Sequence, residues 1–199
     1  DWPLIDPTSA EGLKAVFYQV FVGVLMGILL QIVNAALIIG GQAVSASMGL
    51  SMANMVDPSM GNVPVIAQFF VICSTLIFLG LGGHVLVISL LLESFEFLPI
   101  NSALDLQGLL KLTIEWSAMM FLGAILIGLP LMASLLFINI GLGVITRTAP
   151  ALNIFAVGFP AMILAGIVLL SLSMTSIGYR IQWLWQESFE IIGQALGIR

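Results

Sequence analysis

Charge is what this sequence has least of. Its 199 residues carry five basic and ten acidic side chains, 8% charged, against about 25% in an ordinary globular domain. So few charges cannot cover the surface of a soluble protein of this size. The class is an integral membrane protein, or a subunit buried in a large apolar assembly. With a net charge of −5 and no basic cluster, nothing is available to neutralise phosphates, which excludes nucleic acid as a partner. The one cysteine, Cys73, has no partner for an internal disulfide and reads as an inert thiol in an apolar run. The one histidine, His84, has no second histidine or thiol cluster to complete a metal site. It reads as a hydrogen-bonded structural residue at a Gly-rich helix break. Catalytic sets are missing too. "SMGLS" is not G-x-S-x-G, "GLGG" lacks the spacing of a dinucleotide fingerprint, and Glu93 and Glu96 have no base or nucleophile beside them and read as a solvated loop. The chain is read as non-enzymatic, with no cofactor and no metal.

What is present is apolar length. Hydrophobic residues make up 60% of the chain. No charge occurs from Ala15 to Val56, Pro58 to Leu92, Trp116 to Thr146, or Thr148 to Tyr179. Each gap exceeds the roughly 20 residues that cross a bilayer as a helix. The expected fold is all-α and membrane-embedded.

The first helix is expected from about Ala15 to Gly40. Gly23 and Gly27 form a small-xxx-small pair that lets another helix approach, and Gln31 and Asn34 share one face. Pro64 starts a second apolar run to Leu92, interrupted at "GLGGH", where Gly82 and Gly83 suit a hairpin or kink. A third stretch, Leu106 to about Thr146, is too long for one span, and Pro130 should kink or break it. The fourth, Leu152 to Gly178, carries Pro160. From 179 to 199 an amphipathic helix is expected, with Ile181, Leu184, Trp185, Phe189, Ile192 and Leu196 on its apolar face. It lies on the membrane surface or docks on a partner. Arg147 reads as a helix-end arginine, with partner contact as the alternative. His84 and Trp185 are further candidates for partner contact. The opening "DWPLIDPTSAEGLK" resembles an inter-helix loop with a Thr or Ser N-cap, so the chain is expected to begin inside a longer protein.

Between the first two apolar runs lies "QAVSASMGLSMANMVDPSMGN", expected to be a loop over 41–63. It is made of small, soft, almost uncharged residues. On a helix Met48, Met52 and Met55 would share a face. Methionine commonly fills core gaps, but the Gly, Ser, Ala and Asn around these three suit a compact, deformable constriction or plug in a pore.

"MGLSMANMVDPSMGNVPV", "LGLGGHVLVISLLLESFEFLPI" and "TRTAPALNIFAVGFP" together resemble the FliR family of flagellar type III export-gate subunits. The resemblance covers nearly the whole chain. It implies kinked helical hairpins built like a fused FliP–FliQ pair. The implied partners are FliP and FliQ subunits, FlhB, the wider export apparatus including FlhA, secreted flagellar proteins in transit, and membrane lipid. The implied location is the bacterial inner membrane, within the flagellar basal body. It further implies an N-terminal hydrophobic portion not present in this chain, and a channel plug. Carried over, the plug comprises Met48, Gly49, Leu50, Ser51, Met52, Ala53, Asn54, Met55, Val56, Asp57 and Pro58. Some relatives have aromatic residues at the positions of Met52 and Met55, which implies a softer seal here. Two rival readings stand beside this one. One is a small-molecule secondary transporter with proline-broken helices. The other is a static membrane scaffold.

Overall fold

The computed structural model of the protein describes residues 9–50, 65–99, 105–148 and 154–198. Five helices make up these residues: α1 (Ala10–Ser47), α2 (Val65–Gly80), α3 (Gly83–Phe97), α4 (Leu106–Thr148) and α5 (Ile154–Ala195). Among the described residues there is no strand, so the all-α expectation holds.

Local chemistry sets the helix starts. Ser9 caps α1, its side chain accepting from the Gly12 amide at 3.0 Å, with Glu11 in the first turn against the helix dipole. Asp105 does the same for α4, where Gly108 N–H donates to Oδ1 at 3.0 Å. Between α2 and α3 the chain turns through Gly82, at φ 71°, and the two helices meet at 66°. The break expected at "GLGGH" is therefore real, and Gly82 makes it because a left-handed residue costs little only without a Cβ.

Three helices, α1, α4 and α5, are long and apolar enough to cross a membrane; the bent α2–α3 pair brings the number to four if it is one span. They form a bundle around α1. Gly40 of α1 faces Ala124 of α4, and Gly123 of α4 faces Ala36, so α1 and α4 run in the same direction. Met48 of α1 meets Gly166 of α5, and Ser188 of α5 meets Leu29, so α5 runs the opposite way. α2 leans on α1 where a Cβ on Gly41 would collide with the Ala67 backbone. Small residues thus sit where the helices touch, as helices must pack when lipid gives no hydrophobic drive between them.

Several expectations are corrected. α1 does not stop near Gly40 but runs to Ser47, so the first part of the 41–63 stretch is helix. α4 passes through Pro130 unbroken, and α5 through Pro160. Both prolines are on exposed positions, where the ring meets no neighbouring helix and one missing backbone bond is tolerated. The amphipathic segment from 179 is not a separate helix but the second half of α5. Its apolar face covers neither membrane nor partner. Ile181, Leu184, Trp185, Ile192 and Leu196 are buried in the chain's own core. Gly23 and Gly27 have nothing within 4 Å of an added Cβ, so among the described residues that pair meets no helix. Glu93 and Glu96 lie on α3, not in a loop.

Candidate functional site

The methionine-rich stretch leaves α1 at its C-terminal end, and its root is well defined. Met48 is the C-cap, with its amide donating to the Val44 carbonyl at 2.9 Å and the Gly49 amide donating to the Ala46 carbonyl at 3.0 Å. Gly49 follows at φ 79°, a left-handed turn that ends the helix. α1 therefore ends at Ser47.

Met48 is a core residue, 1% exposed. Its side chain lies across Gly166 of α5, where a Cβ would come within 2.5 Å of Met48 Cε. Glycine at 166 makes the slot that holds it. Gly49 stands beside the Phe159 ring, 3.6 Å from where its Cβ would be, and half-buried Leu50 packs on the same core. Of the expected plug set, Met48 is thus an anchor, whereas Gly49 and Leu50 form the exit. Ser51, Met52, Ala53, Asn54, Met55, Val56, Asp57 and Pro58 lie outside the described residues.

Beneath this root, buried polar groups tie the helices together. Trp116 of α4 donates its indole N–H to the Leu29 carbonyl at 3.1 Å, and the Ser188 hydroxyl of α5 donates to the same carbonyl at 3.4 Å. Trp185 donates to Ser74 Oγ of α2 at 2.8 Å, with the Phe78 ring 4.6 Å away. Each such bond contributes about 1 kcal/mol net, and more would be lost if one partner were stranded. Trp185 is therefore an internal strut, not a partner contact, because its polar edge is satisfied inside the chain. His84 is exposed in the first turn of α3, and among the described residues its ring has no hydrogen-bond partner, contrary to the structural role expected of it. Glycine supplies the backbone bend there without help from the imidazole. Arg147 lies exposed in the last turn of α4, where a cation complements the negative end of the helix dipole. Among the described residues, no group of three or more His, Cys, Asp or Glu side chains converges to hold a metal. Sequence reasoning missed Gly40, Gly41, Gly123 and Gly166. The paired glycines in "IIGGQAV" were the available signal.

A bundle of long apolar helices, sewn by glycines and tryptophans and giving out a methionine-rich stretch at one end, defines a helical membrane protein. The chain belongs to the bacterial export proteins, family 1, whose pattern matches residues 2–188. It is 34% identical to flagellar biosynthetic protein FliR of Pectobacterium carotovorum subsp. carotovorum over 189 residues, 94% of this chain and 72% of that one. With the FliR of Escherichia coli (strain K12) the identity is 35% over 180 residues, 89% and 69% of the two chains. With that of Bacillus subtilis (strain 168) it is 31% over 166 residues, 81% and 64%.

Proposed function

We propose that this chain is a non-enzymatic subunit of the flagellar type III export gate in the bacterial inner membrane, within the basal body. There it helps form and close the channel through which unfolded flagellar proteins leave. Its partners on this reading are FliP and FliQ subunits in one hetero-oligomer, FlhB against them, and FlhA in the wider apparatus. The stretch from Met48 to Pro58 acts as the plug. The observation that supports this most is its family membership over residues 2–188. The root geometry adds to it. A plug needs a fixed end, and Met48 in the Gly166 slot supplies one, while Gly49 gives the backbone a turn at which to pivot.

The test keeps the anchor and removes the segment beyond it. Residues 51–56 are replaced by an equally long Gly/Ser linker, and the chain is co-expressed with the other gate subunits. The expected result is an assembled complex that leaks ions across the membrane. A complex that assembles and stays tight overturns the plug and leaves a scaffold with a static contact. A chain that purifies alone, or as a homodimer without other subunits, overturns the gate reading itself.

A further inference from the structure

On the outside of the α4–α5 pair lies an open groove of about 420 Å³, lined by Leu126, Ser176, Tyr179, Arg180 and Trp183. The four α5 residues fall at i, i+3, i+4 and i+7, so one helix face presents a guanidinium, a phenol, an indole and a hydroxyl together. Arg180 is half-buried and has no ion-pair partner among the described residues, where Lys111 with Glu115 is the one ion pair. The acids of its own helix, Glu187 and Glu190, lie roughly 10 and 15 Å further along the axis. From α4 the groove receives only Leu126, and Glu115 is about 16 Å away along that helix.

The groove also lies at a particular depth. From Leu126 to Arg147, the next charge on α4, is roughly 32 Å of helix, close to the roughly 30 Å of a bilayer's hydrocarbon core. Between these levels the outward residues are apolar: Phe137 is 74% exposed, Leu164 65% and Leu172 77%. On the other side of the Arg180 level the same two helices carry Lys111, Glu115, Glu187 and Glu190. Arg180 and Arg147 thus bracket one apolar slab, with Tyr179 and Trp183 at its edge, where aromatic residues gather at membrane interfaces.

We propose that this groove binds the phosphodiester headgroup of an anionic phospholipid. The Arg180 fork donates to two phosphate oxygens, a geometry lysine cannot match. Tyr179 and Trp183 pack along the glycerol backbone, and Leu126 meets the first carbons of an acyl chain. Tyr179 is 69% exposed and Trp183 38%, so both aromatics flanking the arginine are open to a headgroup at the slab edge.

The test uses the purified chain in mild detergent, measured by native mass spectrometry with added dioleoyl-phosphatidylglycerol or dioleoyl-phosphatidylcholine. One phosphatidylglycerol should remain bound under activation that strips phosphatidylcholine. Arg180→Gln should weaken its retention about tenfold, the loss of one charge-assisted pair, and Arg147→Gln should not change it. If Arg180→Gln does not purify, Arg180→Lys carries the test, with a loss of about threefold expected. Equal retention of the two lipids overturns the proposal, as does wild-type retention by the Arg180 variant. The measurement is on the chain itself, so its outcome is independent of the export reading.

Discussion

Replacing Gly41 by alanine should loosen the bundle, whereas the same change at Gly23 or Gly27 should not. At position 41 the new Cβ would overlap the Ala67 backbone and come 2.7 Å from its nitrogen. Neither atom can swing aside as a side-chain tip can, so α1 and α2 must separate by about 1 Å to restore ordinary contact. Overpacking of this kind costs about 1–3 kcal/mol. At about 2–4 °C per kcal/mol for a chain of this size, the midpoint should fall by roughly 2–12 °C. The assay is thermal unfolding in detergent, followed by tryptophan fluorescence. Trp185 is a suitable reporter, because it sits in the α2–α5 contact with its N–H on Ser74. Gly23→Ala and Gly27→Ala add a methyl where nothing lies within 4 Å, and alanine is the better helix former. Their midpoints should stay level or rise. An unchanged midpoint for Gly41→Ala would refute the close α1–α2 approach. A fall for Gly23→Ala would show that this face is packed after all.

Trp185→Phe should cost about 1–3 kcal/mol in the same assay, because it strands a fully buried Ser74 hydroxyl, and Ser74→Ala on that background should recover part of the loss. Met48→Ala should cost about 2–5 kcal/mol by opening a cavity over Gly166, whereas exchanging Met52 and Met55 for serine should leave the isolated chain's midpoint unchanged; equal losses would refute the division between anchor and plug.

The helical class and the break at Gly82 were legible because they depend on composition and on one residue's backbone freedom. Arg147 at the end of α4 was legible for a similar reason: a lone charge closing an apolar run has few places to be. The end of α1 was not legible. "GGQAVSAS" has the composition of a loop in water, but in a bundle of apolar helices the same small residues are what lets Gly40 and Gly41 touch α4 and α2. Nothing within one helix distinguishes Gly23 and Gly27 from Gly40, because the choice depends on the register of the helix opposite. The junction near Gly178 misled for another reason. The composition changes there from wholly apolar to amphipathic while the buried stripe continues, so one helix looked like two. Met48 could be placed on a candidate plug from its neighbours, but its anchoring role depends on Gly166, more than a hundred residues away, which nothing nearby announces.

In lipid, apolar surface gives helices no reason to associate, so a bundle holds together by close backbone approach and by polar ties. This chain concentrates both on its inner seam, at Gly40, Gly41, Gly123 and Gly166 and at the two buried indoles. Its outer faces can then be given over to whatever surrounds it. On α4 and α5, between the levels of Arg180 and Arg147, the proposed neighbour is lipid. α1 is different. Gly40 faces Ala124, two residues before Leu126, so on that placement the helix before Gly40 runs on the far side of the Arg180 level, outside the hydrocarbon. Yet Leu13 is 62% exposed there, Phe17 64% and Val20 60%. Such a row facing water would be an adhesive surface, and facing headgroups it would be little better. If the slab lies between the two arginines, protein is the cover that fits it. On the proposed placement the chain stands partly in lipid and partly against protein, and the two arginines mark where one kind of neighbour gives way to the other.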